Sequence, residues 1–282
     1  MTTNERSPAA PDKESPAWTT PSPWTAWRDA TPARIALGRS GDALPTGELL
    51  RFGWAHAGAR DAIHAQADFD ALQAQLQDQH WPAPPLCVRS QAPDRATYLR
   101  RPDLGRALAP EDAQRLDELG RASADGFDLC LVIGDGLSAL AIERHAVPLL
   151  SALRSLLPAT LAIAPLVLAE QARVALADDI GQRLRARLSV IALGERPGLS
   201  APDSLGVYLT FSPRVGNTDA QRNCISNVRT EGQTPAQAAA RLAWLIRMAL
   251  KRGESGVALK DESEYAVLDD ASPNPRQHGD DE

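Results

Sequence analysis

The hydrophobic pattern changes character near residue 125. From Thr31 to Arg121 apolar residues recur at helical spacing: Leu49, Leu50, Phe52 and Ala57, then Ile63, then Phe69, Leu72 and Leu76. Only Leu86 to Arg89, set off by Pro82, Pro84 and Pro85, reads as a short extended piece, and a polar helix from Pro110 to Gly120 closes the segment. From Asp125 onward short apolar runs alternate with helical stretches. The pattern predicts a strand over Asp128 to Ile133, a helix from about Leu137 to Leu157 that contains Pro148, and a strand over Thr160 to Leu168. A helix over Asp178 to Ala186 follows, then strands over Leu188 to Leu193 and Gly206 to Phe211.

The last helix carries the strongest signals. Thr234 is a good N-cap, Pro235 suits the first helical position, and Ala239, Leu242, Leu245, Ile246, Ala249 and Leu250 make a buried stripe that ends before Gly253. Arg247, Lys251 and Arg252 complement its C-terminal dipole. Alternating strands and helices predict an α/β class: a Rossmann-like, mostly parallel sheet covered on both faces, preceded by a mainly helical domain. The expected organisation is an N-terminal arm over 1–27, a helical domain over 28–122, the sheet domain over 123–258 and an acidic tail over 259–282.

Composition narrows the picture. The chain has 282 residues with 43% hydrophobic and 23% charged positions, and no apolar run nears the roughly 20 residues needed to span a bilayer. The N-terminus carries acids and prolines where a secretory signal needs a basic start and an apolar core, so the expected location is the cytoplasm. The net charge of −6 belongs to the tail: residues 260–282 hold eight acids and two bases, leaving 28 of each elsewhere. A balanced body gives no electrostatic case for nucleic acid or an anionic membrane. Cys87, Cys130 and Cys224 are too few and scattered for a disulfide framework or a zinc site. Trp18, Trp24 and Trp27 offer the arm a docking role, on a partner or on the chain's own body.

Three segments are expected to meet at the carboxyl ends of the strands, where ligands of such sheets bind. Gly134-Asp135-Gly136-Leu137-Ser138 has glycines that let a ligand approach the backbone and a helix start that favours phosphate; a tight turn with no ligand is the alternative. It matches neither a dinucleotide fingerprint nor a Walker loop. In Gly194 to Ser200, Glu195 can accept hydrogen bonds from a ligand or form a local ion pair. Cys224, within Gln221 to Val228, sits among polar residues, whereas Cys130 sits in an apolar strand and reads as core. Tyr98 to Arg106 is a basic segment that reads as a solvated loop or a subunit contact, and His145 as a surface helix residue. With no catalytic constellation, the chain reads as a binder more than a catalyst.

At these residues the sequence resembles the small (light) subunit of ethanolamine ammonia-lyases, over roughly Ala33 to Gly256. The matching segments are YLRRPDLGRAL, GDGLSALAI, GERPGLSAPDSLGVYLTFSPR, RNCISN and GQTPAQAA. The resemblance implies an adenosylcobalamin-dependent enzyme that converts ethanolamine to acetaldehyde and ammonia by a radical route whose chemistry is the cofactor's. It implies a TIM-barrel large subunit that holds substrate, in a hetero-oligomer of αβ pairs, with this chain closing over the nucleotide side of cobalamin. Its cobalamin contacts would be Val174, Glu195 and Cys224, with no catalytic residue and no metal ligand on this chain. The Asp-x-His-x-x-Gly sequence of other cobalamin folds is absent, which implies base-on binding without a protein ligand to cobalt. A noncatalytic cobalamin carrier or assembly subunit is the rival reading. Some relatives occupy bacterial microcompartments; the proline-rich arm lacks an amphipathic entry helix, which favours the cytoplasm and leaves the microcompartment as the open alternative.

Overall fold

A computed structural model describes residues 19–77, 79 and 81–264. The chain divides into two units between Gly58 and Ala59. In the first, Trp24 and Trp27 pack edge to face at 6.3 Å around a 3-10 turn over Thr25–Ala30. Trp18 and the greater part of the acidic tail lie outside the described residues. Helix α1 spans Thr46–His64.

The second unit is α/β. It holds α2 (Phe69–Gln77), β1 (Leu86–Arg89), α3 (Arg95–Arg100), α4 (Pro110–Ala122), β2 (Phe127–Gly134), α5 (Ala139–Leu156) and β3 (Val167–Glu170). It continues with α6 (Leu176–Arg183), β4 (Ala186–Gly194), β5 (Leu205–Phe211), β6 (Arg222–Val228) and α7 (Pro235–Arg252). The six strands form one mixed sheet in the order β1-β3-β2-β4-β5-β6. The first four are parallel, and β5 and β6 are antiparallel to their neighbours.

The expectation of a mostly parallel sheet therefore holds for one half only. Residues 195–204 return the chain from β4 to β5 without a crossover helix, and a parallel neighbour needs one. The short extended piece Leu86 to Arg89, expected within a helical segment, is the sheet's outer strand beside β3. The strand expected over Thr160 to Leu168 is displaced to Val167–Glu170, because Leu161 to Ala164 meet β2 only at a single bridge, Leu129 to Ile163. RNCISN, expected to be a strand-end segment, is itself a strand.

Both faces of the parallel half of the sheet are packed. Alternate residues of β2 and β4 (Leu129, Leu131, Ile133, Leu188, Val190 and Ala192) meet α5 and α7, while Cys130, Val132, Ile191 and Leu193 meet α4 and α6. Helix α7 follows its signals. Thr234 accepts from the Gln237 amide in a capping box, Pro235 opens the helix, and Gly253 closes it in the left-handed region at φ 74°. Among the described residues no helix is long and apolar enough to cross a membrane.

Candidate functional site

The row Ala169–Gly134–Leu193–Gly206 runs across the carboxyl edge of the parallel strands. Two residues inward lies the row Val167–Val132–Ile191–Tyr208–Cys224, on the same face. The rows are one pleat apart, about 7 Å. Glu195 leaves the end of β4 and turns over β5: a side chain on Gly206 would lie 2.9 Å from its Oε1. The Asn227 amide donates to Glu195 Oε2 at 3.3 Å, Ser204 Oγ donates to the same oxygen at 2.5 Å, and the Glu195 amide donates to the Ser204 carbonyl. Glu195 makes no ion pair among the described residues.

Tyr208 stands opposite Cys224 on the neighbouring strand. Burial raises the Tyr208 phenol, and the Cys224 thiol and Glu195 carboxylate add to the effect. Cys224 is exposed as a residue, yet it lies opposite Tyr208; desolvation there raises the thiol, as does Glu195, against the opposing effect of Tyr208. The thiol is protonated at neutral pH, which disfavours nucleophilic chemistry. Glu195, Tyr208, Cys224 and the exposed Ser226 thus share one face of β5 and β6. Helix α6 covers part of that face, where Tyr208 packs against the core beneath the helix and the buried Asp178 pairs with Arg222. Beyond it, among the described residues, the face is open at Cys224 and Ser226, which are exposed, with Tyr208 half-buried.

Val174 lies in the β3–α6 turn, half-buried against the core beneath α6, where Tyr208 also packs. Its loop is held by the basic segment that sequence alone left as a solvated loop or a subunit contact. The buried Tyr98 ring lies between the guanidiniums of Arg95 and Arg173, 5.1 and 4.4 Å from its centroid, and its hydroxyl donates to the Ala172 carbonyl at 2.7 Å. Gly105 lets the turn close: a side chain there would meet Arg173 at 2.8 Å and Tyr98 at 2.9 Å. Beside Val174, Gln171 Oε1 and Arg173 Nε are buried without a partner among the described residues.

The glycines of the Gly134 to Ser138 loop face protein, as a tight turn requires. A side chain on Gly136, at φ 57°, would lie 2.2 Å from the Gly194 carbonyl, and one on Gly194 would lie 2.1 Å from the Ser138 carbonyl. Ser138 caps α5 at the Ala141 amide and donates to the Pro202 carbonyl at 2.7 Å. Asp135 is buried against Arg95. The loop is a joint between strand ends. His145, expected at the surface, is buried, with Nε2 3.4 Å from Asp203 Oδ2; Arg144 donates to the same oxygen at 2.8 Å. It lies on the face of α5 turned to the β4–β5 loop. Together Ser138, Arg144 and His145 fasten the far end of the loop that starts at Glu195.

The ethanolamine ammonia-lyase light chain family model matches residues 21–260. The chain belongs to this family. It is a family of lyase subunits. The small subunit of ethanolamine ammonia-lyase from Azotobacter vinelandii is 56% identical over 262 residues, 93% of this chain and 96% of its own. That from Ralstonia nicotianae is 53% identical over 257 residues, 91% and 94% of the two chains. That from Pseudomonas fluorescens Pf-5 is 52% identical over 248 residues, 88% and 90% of the two.

For this light chain the structure brings Glu195 and Cys224 onto one face and sets Val174 at the same core. Sequence reading missed Tyr208, Ser204 and Asn227. Tyr208 carried a signal, as the one large polar-tipped residue in an otherwise apolar strand. Ser204 and Asn227 carried none. Among the described residues no group of three or more His, Cys, Asp or Glu is placed to hold a metal ion.

Proposed function

We propose that this chain is the small subunit of an adenosylcobalamin-dependent ethanolamine ammonia-lyase, closing over the nucleotide side of cobalamin against a TIM-barrel large subunit in a hetero-oligomer of αβ pairs. The observation that carries this reading is membership of the light-chain family across nearly all the described chain. The open face agrees with it. A ligand laid there meets a carboxylate, a neutral thiol and a phenol without displacing a helix. When bound, the cofactor supplies radical chemistry that no side chain provides.

The residues of this chain bind and orient. Glu195 accepts hydrogen bonds from amides or hydroxyls of the ligand, at a carboxylate already aimed by Ser204 and Asn227. Cys224 offers a protonated thiol as a polarizable contact, and Val174 an apolar one. No residue on this chain ligates cobalt, and substrate is held by the large subunit. A Rossmann-like description applies to the β3-β2-β4 half of the sheet with its covering helices. The proposed location is the cytoplasm.

The test is an ethanolamine deamination assay with this chain, a matching large subunit and the mixture, each with adenosylcobalamin. Turnover only in the mixture is expected. A stable, cobalamin-loaded complex without turnover would remove ethanolamine as the substrate.

A further inference from the structure

Residues 46–58, the first part of α1, have no buried residue, and across residues 19–58 only Pro45 is buried. The exposed side chains are large and apolar: Leu49, Leu50 (68% exposed), Phe52 and Trp54 (84% exposed). Leu50 and Trp54 are i and i+4 neighbours, and Leu49, Gly53 and Ala57 form the adjoining row. Polar contacts lie elsewhere on the helix, where Arg28 and Arg51 both pair with Glu48. Scattered exposed apolar residues need no explanation, but a contiguous helical face does.

A helix with this little packing is marginal in water, and its glycines weaken it further. Gly47 and Gly53 have no internal reason to lack a side chain, since a Cβ at either would meet nothing within 4 Å. Gly53 lies between Leu49, Leu50 and Ala57 and makes a notch in the apolar face. Such a notch serves close approach of another backbone. With Trp24, Trp27 and Leu44 also exposed in the same unit, the apolar area on offer is on the order of 1,000 Å², enough for one side of a stable subunit interface.

We propose that residues 46–58 are a docking helix for the large subunit, with Gly53 receiving the backbone of a helix of that partner and Leu50 and Trp54 packing beside it. The proposal rests on the small-subunit reading above, which supplies the partner. It makes this segment an anchor to the complex.

The test uses the full chain and the intact large subunit, with association measured by sedimentation or surface binding and helicity by circular dichroism. Gly53→Leu is expected to weaken association at least tenfold while helicity stays equal or rises, because leucine is the better helix former and only the notch is lost. The double variant Leu50→Glu, Trp54→Glu is expected to weaken association similarly. Unchanged affinity in both variants overturns the docking helix. A wild-type chain that dimerises alone, and is made monomeric by Gly53→Leu, overturns it in favour of a second copy as occupant. Protection of Trp54 from quenchers in the isolated monomer assigns the face to another segment of this chain and also overturns it. Failure of the wild-type chain to bind the large subunit overturns the small-subunit reading instead.

Discussion

Arg95 and Asp135, 40 residues apart in sequence, form a buried ion pair at 3.1 Å that joins the start of α3 to the loop after β2. Arg95 also donates to the carbonyls of Gly136 and Ile63, and the second Asp135 oxygen accepts from the Ala172 amide at 3.0 Å. Burial pushes the Asp135 carboxyl up to about 6, against the opposing pull of Arg95 and backbone amides. Its folded value lies above that of the unfolded chain, so the native state holds the proton longer. The contribution of Asp135 to stability is full below about pH 4 and declines as pH rises to about 6. Urea unfolding of Asp135→Asn is expected to lack that decline. At pH 7, Asp135→Ala should cost about 3 to 5 kcal/mol, because Arg95 is left buried without its partner.

Gly136 and Gly194 sit at an interlocked joint: a side chain on Gly136 would strike the Gly194 backbone, and one on Gly194 would strike the Ser138 and Asp135 carbonyls. Gly136→Ala adds a clash to a left-handed backbone, and Gly194→Ala forces the two loops apart. Either change is expected to destabilise the chain by about 2 kcal/mol or more, read as a lowered melting temperature. A fully wild-type melting curve for Gly194→Ala would show that the joint yields easily.

Glu195→Ala is expected to weaken cobalamin binding in the assembled complex by about 1 to 3 kcal/mol, the loss of one charge-assisted hydrogen bond. The fold should remain intact, since Glu195 is half-buried and makes no ion pair among the described residues, and the loss falls on the buried Ser204 hydroxyl alone among side chains. Spectral titration of cobalamin into wild-type and variant complexes measures the difference. An unchanged dissociation constant removes Glu195 from the site.

The raised Cys224 thiol should react slowly with iodoacetamide at pH 7.5 and speed up only as pH passes the ordinary thiol range. Cys130, fully buried and pushed up to about 12, should not react in the native chain. Cobalamin in the complex is expected to protect Cys224, and Cys224→Ala to bind the cofactor only slightly less well. Loss of all turnover in Cys224→Ala at full cobalamin occupancy would point to a catalytic thiol.

Local chemistry made much of this chain legible from its sequence. The Thr234 capping box, Pro235 and Gly253 fix α7 from within one segment, and the apolar runs of β2 and β4 mark strands long enough to be buried on both faces. The GERPGL and RNCISN segments carried the family, and with it Glu195 and Cys224. What the sequence could not hold were pairings between distant residues. Arg95 finds Asp135, Tyr98 finds Ala172, and His145 finds Asp203 only when loops meet at the strand ends, so a basic stretch and a glycine loop became joints. The direction of β5, the edge position of β6 and the open face between Glu195 and Cys224 were likewise decided by packing, because strand order and helix cover depend on which surfaces are left to bury once the parallel half has formed.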